Sequence, residues 1–149
     1  MTNDELTKFA TRYAEAWCSR DPRKVAAFFT ENGSISINNG PPAVGRAAIA
    51  KEAQAFIATF PDMVVTFDKL EPREGAVAFH WTLIGTNSGP GGAGNKVRIS
   101  GYELWKTDND GLIAESKGHF DAADYERQLQ ENKRIDDSSK SRLHLRHEI

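Results

Sequence analysis

Apolar residues recur at helical spacing as far as Phe60 and at alternating spacing beyond it. Leu6, Phe9, Ala10, Tyr13 and Trp17 mark one face of a helix over residues 4–19. Thr2 and Glu5 ahead of it have the spacing of a capping box, in which two side chains satisfy orphan backbone donors reciprocally. Asp21-Pro22 opens a second, short helix: the aspartate caps it, and proline suits a first helical position whose N–H would be unpaired anyway. Val25, Phe28 and Phe29 give that helix its buried side. "SISI" at 34–37 predicts a short strand, closed by the turn-rich "NNGPPAVG". Ile49, Ala53, Phe56 and Phe60 mark a third helix, stopped by Pro61. From Met63 the alternation predicts strands over 63–70, 76–86, 96–107 and 112–120. They are joined by "EPREG", by the Gly-rich 87–95, and by "TDNDG", whose Asp110-Gly111 pair favours a tight hairpin. A final helix is expected over 122–131. Helices followed by an antiparallel meander make an α+β arrangement, a curved sheet with helices on one side.

Composition narrows the class of protein. A chain of 149 residues, 39% hydrophobic and 27% charged, suits one soluble domain with a real core. A net charge of −2 without a basic stripe argues against a nucleic-acid partner. Cys18 is the only cysteine, so no internal disulfide forms and no thiol framework exists for a metal; a cytoplasmic location fits. No apolar run approaches the ~20 residues that span a bilayer, and "MTNDELTKFA" lacks the order of a secretory signal. One domain over residues 1–131 and a polar, mobile tail over 132–149 are expected.

The segment 97–121, "VRISGYELWKTDNDGLIAESKGHFD", and the strand "AFHWTLIGT" at 78–86 resemble the SnoaL-like proteins of the nuclear transport factor 2-like superfamily, which include polyketide cyclases. The likeness covers roughly residues 5–130. It implies a cone-shaped half-barrel, in which a curved antiparallel sheet has three N-terminal helices packed on its concave side. It also implies an apolar pocket between sheet and helices, and often a homodimer.

Candidate chemistry centres on four positions. In cyclases of this type and in the similar limonene epoxide hydrolases, the place of Gly118 holds an aspartate that acts as general acid or base; a glycine transfers no proton. Asp121, three residues on, either substitutes for it or caps the helix that follows. Tyr13 is similarly placed to a ketosteroid isomerase tyrosine that hydrogen-bonds a developing enolate; alternatively it is a core tyrosine. The isomerase's base falls at Ile37 or Asn38. Glu103 alternates with Val97, Ile99, Gly101 and Trp105, so it lies on the apolar face of its strand. A carboxyl there is protonated, paired or hydrogen-bonded, and desolvation raises its pKa. His80 is open to two readings. Alternation puts it opposite Val77, Phe79, Trp81 and Leu83, whereas the resemblance turns it into the pocket by way of a bulge.

The scheme these residues support is acid–base chemistry of an isomerase, cyclase or hydrolase type on a largely apolar, carbonyl-containing substrate. Glu103, His80 and Tyr13 are the catalytic candidates: Glu103 and His80 exchange protons, while Tyr13 or Asn38 hydrogen-bonds the carbonyl oxygen. Trp17, Phe56, Trp81 and Phe120 supply apolar walls, and Ser116 and Gly118 share the pocket face of the last strand with Leu112 and Ala114. No cofactor and no metal are called for. The competing expectation is a non-catalytic binding or dimerisation module of the same fold. "GPGGAG" at 89–94 satisfies a nucleotide-loop pattern but joins two strands instead of a strand and a helix. His144 and His147 lack the company of a metal site. His119 falls on the mixed face of the last strand, suiting the surface or a dimer interface.

Overall fold

A computed structural model describes residues 2–129. The expected tail, with His144 and His147, lies outside the described residues. The capping box forms as the sequence requires: Glu5 N donates to Thr2 Oγ1 at 3.1 Å and Thr2 N to Glu5 Oε1 at 3.2 Å. They open helix α1 (Asn3–Cys18), which buries Phe9, Ala10, Tyr13, Ala14 and Trp17 along one stripe. Asp21 caps α2 (Pro22–Ala26) by accepting from Arg23 N at 3.0 Å. The chain then runs through β1 (Phe29–Ile37), β2 (Ala43–Val44) and α3 (Arg46–Thr59). The meander follows as β3 (Val64–Arg73), β4 (Ala76–Asn87), β5 (Asn95–Thr107) and β6 (Ile113–Phe120). Residues 122–129 are helical, here α4, and Asp121 caps them, its Oδ1 accepting from Asp124 N at 3.0 Å.

The six strands form one curved, unclosed sheet in the order β2-β1-β6-β5-β4-β3. Neighbours from β6 to β3 are antiparallel, as the alternation predicts. β1 lies parallel to β6, with Ile35 opposite Ser116 and Ile37 opposite Gly118. The helices pack on one face, α1 against β3 and α3 against β1, so the apolar residues of each strand point at them. Tyr13 stands at the centre of this core, its ring 5.2–5.5 Å from those of Trp105, Phe79 and Phe28.

Two bulges decide which side chains face inward. In β3, Phe67 pairs with Trp81 and Lys69 with His80, so Asp68 is the extra residue. In β6, Lys106 pairs with Glu115 and Thr107 with Ile113, which leaves Ala114 unpaired. That bulge reverses the parity of the strand's start: Ile113 is fully buried, in place of the expected Leu112 and Ala114. Strand β1 is also longer than its "SISI" core.

The Gly-rich hairpin between β4 and β5 lies against α3. A Cβ on Gly89 would sit 1.8 Å from the carbonyl oxygen of Ala58, so only glycine permits this approach. Gly89 N donates to Thr59 O, tying the hairpin to the C-terminal end of α3.

Candidate functional site

Three rows of paired residues cross the sheet beneath the helices. Ile37, Gly118, Glu103 and Phe79 form one; Phe120, Gly101 and Trp81 form the next; Ile35, Ser116 and Trp105 lie on the other side. Gly101 is needed in the second row, since a Cβ there would come 2.7 Å from Trp81 Cζ2. With helices above, these rows enclose a cavity of about 80 Å³, whose walls include Trp17, Phe56, Trp81, Phe120, Glu103 and Gly118. A single water needs ~10–15 Å³ of such space, so several water-sized occupants, or one small ligand, fit.

Glu103 is buried on this wall, and its hydrogen bonds are asymmetric. Oε1 accepts from Ser116 Oγ at 2.7 Å, Tyr13 Oη at 2.9 Å and Trp105 Nε1 at 3.0 Å. Oε2 has only the longer approach of the same Tyr13 hydroxyl, at 3.2 Å. Strand geometry accounts for two of the donors. Trp105 is two residues along β5 and hence on the same face, and Ser116 pairs with Trp105 while Gly118 pairs with Glu103. No described residue forms an ion pair with Glu103. Burial raises its pKa above the usual carboxylate value, and the Trp105, Ser116 and Tyr13 hydrogen bonds pull the other way. Burial, reinforced by the adjacent Glu103, holds the Tyr13 hydroxyl well above its ordinary pKa, so it stays a donor.

Other candidates fall into three groups. Trp17, Phe56, Trp81, Gly118 and Phe120 line the cavity. Ser116 and Tyr13 are buried behind Glu103 and hold its carboxyl, so the Tyr13 hydroxyl is not free for a carbonyl. Asn38 is not among the residues that line the cavity; its Oδ1 accepts from Phe120 N at 2.9 Å, which fixes the turn after β1.

His80 does not meet Glu103. Its Nε2 lies 3.0 Å from Glu71 Oε1, and its ring neighbours Tyr102, which neighbours His119 in turn. This cluster occupies the sheet face opposite the helices. The physical reason is the register of β4, which pairs with β5 without a break from Val77 to Asn87. Strict alternation therefore holds, and the bulge lies in β3. Glu52 was not singled out in the sequence, yet it lines the cavity half-buried on α3. Its place four residues before Phe56 and three after Ile49 was the available signal.

Among the described residues no cluster of His, Cys, Asp and Glu could hold a metal ion. None of the described helices is long and apolar enough to cross a membrane.

Comparison with known proteins agrees with this architecture. No curated protein matches the chain in sequence. A protein of ketosteroid isomerase-like fold from Catenulispora acidiphila, in complex with trimethylamine, superposes with a TM-score of 0.71 at 18% identity, covering 87% of this chain and 95% of its own. A protein from Jannaschia sp. CCS1, assigned as a SnoaL-like polyketide cyclase, gives 0.75 at 14% identity, over 87% and 95%. One from Xanthomonas campestris pv. campestris, assigned as a polyketide cyclase, gives 0.73 at 19%, over 85% and 97%. The family model of the SnoaL-like domain matches residues 10–116, and the chain belongs to that family.

Proposed function

We propose that this protein binds a small, largely apolar molecule in the cavity and that Glu103 exchanges a proton with it. One observation carries the reading. A carboxyl with no cationic partner among the described residues stands on an apolar wall, with three donors on one oxygen and only the longer Tyr13 approach on the other. A carboxyl with only a structural role gains most from a paired cation. Burial without one moves its pKa towards the range in which acids and bases work near neutral pH.

The catalytic form of this reading is a cofactor-independent isomerisation, in which one carboxyl removes a proton and returns it. With the proton on Oε2, Glu103 also donates to a carbonyl oxygen. Gly118, where the resemblance implies an acid, favours a second reading: a non-catalytic binding or dimerisation module. The homodimer implied by the resemblance belongs to the proposal and is checked by light scattering. The trimethylamine bound by the Catenulispora protein is that protein's ligand, and at 18% identity the likeness shows the fold alone.

The deciding experiment is a crystal structure of the protein as purified, with Glu103→Gln beside it. Ligand density against Oε2, weakened or lost in the variant, supports the proposal. A cavity closed by the chain's own side chains in both would overturn it.

A further inference from the structure

We propose that Gly118 sets which guest the cavity accepts: the side chain it lacks leaves a bay between Ile37 and the stem of Glu103, and a ring or branched alkyl group of the ligand fills it. This rests on the reading of the cavity as a ligand pocket and names the part of the ligand that is selected.

Glycine weakens the interior of a strand, and there it often marks a bulge or a place where another backbone or a ligand comes close. Gly118 is paired on both sides, with Ile37 on β1 and Glu103 on β5, and the bulge of β6 lies earlier, at Ala114. Its φ lies outside the left-handed region. Crowding does not demand a glycine either. A Cβ at Gly101 would lie 2.3 Å from His119 O, and one at Gly85 would lie 3.0 Å from Phe60 Cβ. At Gly118 it would make ordinary contacts of 3.9 Å with Glu103 Cγ and Ile37 Cγ1. Its one tighter contact, 3.3 Å to Ser36 O, is relieved by a shift of a few tenths of an ångström.

What surrounds the missing side chain is the cavity. Gly118, Ile37 and Glu103 all line it, and Gly118 is itself buried. Protein interiors are close-packed, so a strand position facing an internal space ordinarily carries a side chain that fills it. An alanine here would add apolar contact without strain. The space is instead kept open in the row of the sheet that carries the buried carboxyl, where Ile37 and Phe79 complete the apolar wall. A flat or branched apolar group can lie against the bare backbone of Gly118 as no larger residue would allow.

The test uses three neutral ketones, propanone, cyclopentanone and cyclohexanone, with the wild type and Gly118→Ala as full chains. Binding is followed by chemical shifts of cavity residues, and the position of the guest by nuclear Overhauser contacts to the Gly118 Hα protons. In the wild type, affinity should rise with ring size, and the cyclohexanone ring should contact Gly118 and Ile37. Gly118→Ala should melt no lower than the wild type, because alanine is the stronger residue inside a strand. It should weaken cyclohexanone about fourfold or more, the contribution of one buried CH₂ group, and leave propanone within about twofold. If Gly118→Ala melts well below the wild type, the glycine serves the backbone and the inference falls. If cyclohexanone binds equally to both proteins, or sits in the cavity away from Gly118, the inference falls and the pocket stands. If none of the three perturbs cavity residues, the pocket reading falls with it.

Discussion

Ser116 Oγ donates to Glu103 Oε1 over 2.7 Å, from a strand position diagonal to the glutamate. With Tyr13 and Trp105 it gathers three donors on one oxygen of Glu103 and leaves the other with the longer Tyr13 approach alone.

Stability should carry the signature of a raised carboxyl pKa. Glu103 binds its proton more tightly in the folded state than in the unfolded chain, where 4.5 is the ordinary value. Its contribution is therefore complete below that pH and is lost as pH rises through the raised folded value. Glu103→Gln has no such proton. The stability difference, wild type minus variant, should fall with rising pH across that window and then level off, read from urea unfolding. A difference independent of pH would show that the carboxyl is not perturbed.

Tyr13→Phe keeps the ring among Trp105, Phe79 and Phe28 and removes one donor. A loss of about 1–2 kcal/mol is expected, the usual scale for a hydrogen bond to a buried acceptor. The titration of Glu103, followed by its carbonyl stretch, should move upward, because a hydrogen bond that favours the ionised form has gone. A downward move would contradict the assignment of the hydroxyl as donor.

His80→Gln should leave ligand affinity in the cavity unchanged, since its ring faces Glu71 on the other side of the sheet. Phe56→Ala, which removes part of the wall, should weaken it. The opposite ranking in one fluorescence titration would restore His80 to the site.

Gly118→Asp places a second acid beside Glu103, with its Cβ 3.9 Å from Glu103 Cγ and 3.3 Å from Ser36 O. Two neighbouring carboxyls resist double ionisation, so Glu103 should titrate higher still. Melting should occur at lower temperature, the loss growing as pH rises. Scanning calorimetry at acid and neutral pH checks both.

How far the sequence reveals this site depends on how local each feature is. The inward placing of Glu103 was legible because Val97, Ile99, Gly101 and Trp105 alternate through an unbroken strand. Its bond to Tyr13 was not, because the partners lie 90 residues apart. Alternation also placed Trp81 correctly, and only the appeal to a bulge turned His80 inward. Bulges themselves escape the pattern: Ala114 shifts the face of Ile113 without any change in residue type. The start of β1 was hidden by the polar "TENG", where pairing with β6 is irregular and no face alternates. Glu52 went unnoticed because a glutamate on a helix ordinarily reads as solvent-exposed.

The parallel pairing of β1 with β6 bears on the order in which the molecule assembles. Strands β3 to β6 meet through short hairpins, whereas β1 and β6 must close a loop spanning most of the domain. Closure of that size has its entropic cost before any contact rewards it, so this pairing is expected to form last. The row from Ile37 through Gly118 to Glu103 is complete only afterwards. Pulse-labelled amide exchange during refolding should protect the β4–β5 ladder before Asn38 N–H, which donates to Gly118 O at the far end of the β1–β6 seam. On that order the burial of Glu103 would be completed only when the β1–β6 seam closes, and loosening the seam would uncover the Gly118 side of its wall.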